Sequence, residues 1–336
     1  MKERIKVGIV GAGRFGEAHA QNYSSMSGVE VAGVFDPDAA KAGKLADTYG
    51  GKAFDSLDAL LEAPDIRLVS IVTPENAHLE PFLKGVEAGK AVYVEKPLAV
   101  SVEDIRTMVD ASRGAIALGG HLLRYETRYR HIKEHIPEYG AVYHLYFRRL
   151  RALWEMSIYG RTHTALIMQS HDINICNWYA GVPFKRVVAL EGHYRGTEVA
   201  DAMSILVEYE NGVTATLESG WLFPDDVGYG ADDRCSVACE KGSFDLRIPG
   251  VDFYHYGKGG VQFPNPYYDI EVGGKMYGPL RAALDYAVAC VAKGEIPQEN
   301  TIPEAAETVA LALAAIQSAQ EGRFVARDEG YGVENT

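Results

Sequence analysis

Positive charge is in short supply in this chain: 33 Lys and Arg stand against 46 Asp and Glu among 336 residues, a formal net charge of -13 at pH 7. Such a surface repels phosphate polyanions, so neither nucleic acid nor an anionic membrane is an expected partner. Cysteine is scarce too. The four thiols, Cys176, Cys235, Cys239 and Cys290, form no C-x-x-C pair and no zinc spacing. Cys235 and Cys239 would share one face of a strand, yet no His or carboxylate stands near them at ligand spacing, so buried reduced thiols and no metal are expected. Long apolar runs are missing. The most apolar helix candidate, around Val309 to Ile316, is short and flanked by Glu and Gln, whereas a bilayer span needs roughly 18 apolar residues. Met1 to Val10 hold one short apolar run with no signal-peptide core behind it, which makes the expected location cytoplasmic. Repeats, linkers and low-complexity tracts are absent as well.

What is present is an ordinary globular enzyme composition in a chain long enough for two domains of roughly 100 to 200 residues. Over the first 120 residues, Ile5 to Val10, Val29 to Phe35, Leu68 to Val72, Ala91 to Val94 and Ala115 to Leu118 read as buried parallel strands. Helical patterns near 14 to 26, 38 to 49, 56 to 62, 77 to 88 and 101 to 112 alternate with them, the rhythm of a doubly wound α/β sheet. After Gly119 the texture changes. Tyr125 to Ile136 reads as a basic helix, and the strands that follow alternate apolar with polar residues, as in a sheet wetted on one face. These are Val142 to Arg149, Arg186 to Tyr194, Met203 to Tyr209, Val213 to Ser219, Arg234 to Glu240 and Ser243 to Ile248. Glu210-Asn211-Gly212 supplies a hairpin turn. Helices are expected at 163 to 179, at 279 to 293 and finally at about 303 to 321, the last with Pro303 at its start and Gly322 beyond its end. The expected division is therefore 1–120, a dinucleotide-type domain, and 121–336, an α+β domain with a large, mostly antiparallel open sheet.

Gly11-Ala12-Gly13-Arg14-Phe15-Gly16 follows a strand and opens a helix, the context in which G-x-G-x-x-G carries a mechanism. Gly11 permits the tight turn, Gly13 lets backbone amides approach a pyrophosphate, and Gly16 allows close packing of the helix. Asp36 ends the second strand, where a carboxylate accepts both ribose hydroxyls of NAD and repels the 2′-phosphate of NADP. Pro37-Asp38 brings no arginine for that phosphate. NAD(H) is thus expected in preference to NADP(H), with Asp36 as a mere cap of the next helix as the alternative.

With these residues the chain resembles the Gfo/Idh/MocA family, the relatives of glucose-fructose oxidoreductase and inositol 2-dehydrogenase, along nearly its whole length. The resemblance rests on the glycine motif at 11 to 16, Thr73-Pro74-Glu75-Asn76-Ala77-His78, Glu95-Lys96-Pro97 and Ser170-His171-Asp172-Ile173-Asn174. Ala314 to Val325 also looks like the family's last helix and the short strand after it. The resemblance implies an N-terminal Rossmann domain that uses Gly11, Gly13, Arg14, Phe15, Gly16, Asp36, Thr73, Pro74, His78, Glu95 and Lys96 toward the cofactor. It implies that Lys96 stands beside the nicotinamide, at a Lys-Pro peptide that is often cis. It implies too that His171 takes the hydroxyl proton as hydride leaves for nicotinamide C4, a duty that a near-neutral pKa suits. An ammonium at Lys96 would stabilise a developing alkoxide.

The chain departs from the family in two places. The frequent pattern Asp-x-x-x-His has Ile167 in place of the carboxylate, which leaves Lys96 and His171 to share acid and base duty. Gly120-His121-Leu122-Leu123-Arg124-Tyr125 replaces the more familiar Gly-Tyr-Asn-Arg-Arg-Phe. Arg124, Arg149, Trp154 and Asn174 are substrate-side candidates, and Arg148, Arg149 and Arg151 would suit an anionic glycoside, with a solvated basic strand face as the other reading. For Trp154, a core position is the alternative to a sugar-stacking platform. Dense aromatics from Trp221 through Tyr229, Tyr254, Tyr256, Tyr267 and Tyr268 are expected in loops over the site and in an oligomer interface. The expected function is oxidation of a secondary hydroxyl of a sugar, sugar derivative or cyclitol by a homodimer or homotetramer. Competing readings are a redox glycosidase that uses NAD catalytically and a non-catalytic NAD-dependent sensor.

Overall fold

The computed structural model describes residues 4–225, 231–248, 255–257, 260–262 and 270–333. It divides into two compact units, Met1–Glu126 with Tyr267–Ala306, and Thr127–Pro266 with Glu307–Thr336.

The first unit alternates β1 (Ile5–Val10), α1 (Arg14–Ser24), β2 (Val29–Phe35), α2 (Ala39–Tyr49), β3 (Lys52–Ala53), α3 (Leu57–Leu61), β4 (Ile66–Ile71), α4 (Leu79–Glu87), β5 (Ala91–Glu95), α5 (Val102–Ala111) and β6 (Ala117–Gly120). Its six strands lie in the order β3-β2-β1-β4-β5-β6, all parallel. That is the Rossmann order. The continuous apolar runs of β1, β4 and β5 are buried as a parallel sheet covered on both faces requires. Helix starts follow the side-chain chemistry: Asp38, Ser56 and Ser101 accept backbone N–H bonds at the heads of α2, α3 and α5. Strand β3 carried no signal, being two exposed residues long.

The division expected at residue 120 falls after Glu126, and a later segment returns to the first unit. Strands β15 (Ile270–Val272) and β16 (Lys275–Tyr277) precede α9 (Pro279–Lys293), which buries Leu280, Ala283, Leu284, Ala287, Cys290 and Val291. Arg281 Nη1 donates to Ser25 Oγ at 2.9 Å, and Arg67 Nη2 donates to the carbonyl of Val291 at 2.8 Å. An apolar face on α9 declares that the helix packs, not on which sheet.

The second unit holds α6 (Thr127–His135), β7 (Val142–Ala152), α7 (Met156–Tyr159), α8 (Ser170–Ala180), β8 (Phe184–Gly192), β9 (Ala202–Tyr209), β10 (Thr214–Phe223), β11 (Ala231–Cys239), β12 (Gly242–Ile248), the small pair β13 (His255–Gly257) and β14 (Gly260–Gln262), and β17 (Val325–Ala326). The division falls within α10 (Ile302–Glu321). Its sheet runs β12-β11-β7-β10-β9-β8-β17, antiparallel except for the β7/β10 pairing. The Asn211-Gly212 turn joins β9 to β10 with Gly212 at φ 85°. Residues 165 to 169 form a π-helix leading into α8, where a continuous α-helix was expected. All four cysteines are free and buried. Among the described residues, no helix is long and apolar enough to cross a membrane, and no cluster of His, Cys, Asp and Glu is arranged to hold a metal. Tyr229, Tyr254, Tyr267 and Tyr268 lie outside the described residues.

Candidate active site

The glycine loop is shaped for close approach. Gly11 sits at φ 108°, and a Cβ there would lie 2.8 Å from the carbonyl oxygen of Val72. A Cβ on Gly16 would come within 2.2 Å of the Gly11 carbonyl, so only glycine lets α1 start so near β1. A Cβ on Gly13 would meet nothing within 4 Å, and no side chain caps the α1 N-terminus, whose first amides are therefore available to an anion. Arg14 and Phe15 form the first residues of α1. Asp36 lies beside this loop: one carboxylate oxygen accepts the Ala12 N–H at 2.7 Å and the other the Asp38 N–H at 2.9 Å. Asp38, not Asp36, caps α2. An uncapped helix end, open space at Gly13 and a fixed carboxylate at the end of β2 fit a dinucleotide.

Thr73 and Pro74 follow β4 at the same sheet edge. Expected to face the cofactor, His78 is instead buried. Its Nδ1 faces the Pro97 and Leu98 carbonyls at 3.0 and 3.3 Å, and its Nε2 faces the Thr73 carbonyl at 3.0 Å. Burial lowers its pKa below the usual imidazole value. His78 thus ties the turn after β4 to the Lys96-Pro97 turn, whose peptide is cis.

Glu95 also turns inward. His19 of α1, which sequence reading passed over, places Nε2 3.1 Å from Glu95 Oε1 and Nδ1 3.3 Å from Ser70 Oγ, while Tyr23 Oη lies 2.8 Å from that hydroxyl. Burial pushes the Tyr23 phenol up, which keeps it protonated. The other Glu95 oxygen accepts the Lys96 backbone N–H at 3.1 Å. A Cβ on Gly120 would stand 3.0 Å from this carboxylate. Glu95 is therefore a buried brace that fixes the backbone of the half-buried Lys96 at the carboxyl end of β5.

In the next strand, Gly119-Gly120 is followed by His121, a residue not singled out from sequence. The His121 ring is buried, and burial, assisted by the Arg124 and Lys96 charges, pushes its pKa down to about 3. Arg124, expected at the substrate, is itself buried, with Nη1 2.6 Å from Glu304 Oε1.

In the second unit, His171 is half-buried near the start of α8. Ile167, where a carboxylate partner was missing, packs with Met168 and Trp221 in an apolar cluster that Met156 and Tyr159 flank. Arg149, a substrate-side candidate, is buried and engaged within the unit. Its Nε and Nη2 grip both oxygens of Asp172 at 2.9 and 2.7 Å, and its Nη1 donates to Asp233 at 2.8 Å. Arg151 pairs with the same Asp233, and Arg148 lies 3.6 Å from Asp232. Burial works against the charges of Arg149, Arg151, Asp172 and Asp233 and lifts Asp172 above the ordinary carboxylate range, yet the two guanidiniums hold Asp233 below it. The reason is geometric: β7 and β11 pair with Arg149 opposite Asp233. The arginines that suggested an anionic glycoside are thus engaged internally. Asn174, another substrate candidate, is buried and donates to Thr308 Oγ1 at 3.0 Å, tying α8 to α10. Trp154 is 48% exposed, which rules out the core position. Gln169, in the π-helix, is fully buried, and its amide meets no hydrogen-bond partner among the described residues.

Comparison with known proteins agrees with this architecture. Residues 5–116 match a family described as oxidoreductases with an NAD-binding Rossmann fold, and residues 140–245 match the GFO/IDH/MocA C-terminal domain. An uncharacterised oxidoreductase of Streptococcus pneumoniae is 32% identical over 64% of this chain; the matched stretch spans 62% of that protein. An inositol 2-dehydrogenase of Ralstonia nicotianae is 26% identical over 85% of this chain and 93% of its own. The crystal structure of GenD2 from gentamicin A biosynthesis in complex with NAD superposes with a TM-score of 0.84 at 23% identity, covering 97% of each chain.

Proposed function

Because the chain belongs to the GFO/IDH/MocA family of NAD-binding oxidoreductases, we propose that it is an NAD(H)-dependent dehydrogenase acting on a secondary hydroxyl of a sugar, sugar derivative or cyclitol. The observation that carries this reading is the placement of Lys96, half-buried at the carboxyl end of β5, its backbone clamped by the His19–Glu95 pair beside the glycine loop. Bound NAD supplies the carbon that accepts or returns hydride. Gly11, Gly13, Gly16 and the first amides of α1 hold its pyrophosphate, and Asp36 takes the ribose hydroxyls and selects NAD over NADP. Lys96 and His171 share the acid and base duty, since apolar Ile167 offers His171 no carboxylate. Relatives named for inositol oxidation support a polyol substrate. The reading includes a homo-oligomer in the cytoplasm.

The test is NADH formation against a panel of inositols, aldoses, uronates and glycosides, with free sugar release recorded in parallel. Stoichiometric NADH is expected, falling roughly 100- to 10,000-fold in Lys96→Ala. Sugar release without net NADH would replace this reading with a redox glycosidase. Tight NAD binding with silence in both channels would make the chain a sensor.

A further inference from the structure

We propose that His121 is a specificity-determining residue of this site, hydrogen-bonding a hydroxyl of the bound polyol beside the one that Lys96 serves; the inference rests on the dehydrogenase reading above. Strands β5 and β6 are parallel with Glu95 opposite Gly120 as their last pair, so Lys96 and His121 are the residues that follow at the same end of two adjacent strands, where both chains leave the sheet, and the Lys96 charge acts on the His121 ring. In open α/β sheets this carboxyl edge is where ligands bind.

The backbone of His121 is pinned on both sides. Its N–H donates to the Gly119 carbonyl at 2.9 Å, and its own carbonyl accepts from Asn300 Nδ2 at 2.9 Å. Asn300 also takes the Gly119 N–H at 2.7 Å through its carbonyl, and Glu304, one turn further on, holds Arg124. The backbone that carries the imidazole is therefore fixed, while neither ring nitrogen meets a hydrogen-bond partner among the described residues. A buried donor and acceptor left unpaired cost stability that nothing inside the unit recovers. Such a cost is retained where a ligand supplies the missing bonds.

The chemistry of the ring narrows that ligand. Burial and two neighbouring cations keep His121 neutral, with one N–H donor and one lone pair. A hydroxyl both donates and accepts, so it matches either nitrogen. An ammonium would face the Lys96 and Arg124 charges, and a carboxylate would find one donor and a repelling lone pair. His121 therefore favours a hydroxyl over an ammonium group at this position.

The experiment compares wild type, His121→Phe and His121→Asn, each with saturating NAD, on myo-inositol, scyllo-inositol, glucose and the monodeoxy and amino analogues of whichever is oxidised. In His121→Phe, KM is expected to rise at least about tenfold with kcat changed less than about threefold, and discrimination against one monodeoxy analogue is expected to collapse. His121→Asn, which keeps a donor and an acceptor, should restore part of that discrimination. His121→Phe should melt no lower than wild type, because it removes both unpaired groups. A folded His121→Phe protein with wild-type KM and wild-type discrimination overturns the inference alone. Absence of turnover by wild type on every polyol overturns the dehydrogenase reading beneath it.

Discussion

Two buried polar regions of this molecule are built on opposite terms. Around Arg149, four charged groups from β7, α8 and β11 are taken out of water, and each finds partners: Arg149 with Asp172 and Asp233, Arg151 with Asp233. At the carboxyl edge of β5 and β6, His121 is as deeply buried and its ring nitrogens meet no hydrogen-bond partner among the described residues. Burying a charge is tolerated only with full pairing, whereas an unpaired neutral ring costs less and can be left for a ligand to complete. The contrast separates scaffold from site. Arg149 looked like a binding residue because of its charge, and His121 was overlooked because a lone histidine carries little signal.

The largest effect that would sharpen this contrast is expected at Arg149. Arg149→Met strands Asp172 inside the second unit and leaves Asp233 to Arg151 alone, so urea unfolding of that unit should lose about 3–5 kcal/mol, while NAD binding to the first unit stays unchanged. A loss well under that would mean that the network is solvated and that the contrast fails. The next effect is a pH dependence. Burial pushes the His121 imidazole down to about 3, well below its ordinary value, so the unfolded chain binds a proton that the folded chain refuses. Its contribution is fully present above about pH 6.5 and is lost as pH falls toward about 3, at up to about 1.4 kcal/mol per pH unit. His78, lowered by burial as well, acts with the same sign. Stability measured between those limits should fall with acid in wild type, with a slope smaller by about one proton in His121→Phe. An unchanged slope would place the His121 ring in water and erase the difference between the two regions. The smallest effect is expected at Trp154, which is exposed and outside both regions: Trp154→Ala should shift stability by under about 0.5 kcal/mol, leaving any change in KM attributable to substrate contact.

How much of this was legible depended on how local each signal is. The glycine loop, Asp36 and Lys96 declare themselves within a few residues, because a strand end, a turn and a helix start are written side by side. The alternation of β7 to β12 likewise announced an open sheet with one wet face. The remainder depends on residues far apart in sequence. Glu95 reads as a ligand-facing carboxylate until His19 is brought against it by the packing of α1 on the sheet. Arg149 lies 23 residues from Asp172 and 84 from Asp233, and only the pairing of β7 with β11 makes them neighbours. The return of α9 to the first unit is invisible for the same reason: its apolar face fits any sheet. The π-helix before α8 has no compositional mark at all, and it was read as ordinary helix.

In the proposed reaction, hydride moves between an alcohol carbon and the nicotinamide. Its most direct test is isotopic: the protein is incubated with NAD and the oxidised polyol carrying deuterium on the reacting carbon, and the NADH formed is weighed by mass spectrometry. NADH heavier by one deuterium is expected, with the label at C4, and none from Lys96→Ala beyond its residual turnover. Unlabelled NADH, or label lost only to solvent, would contradict it.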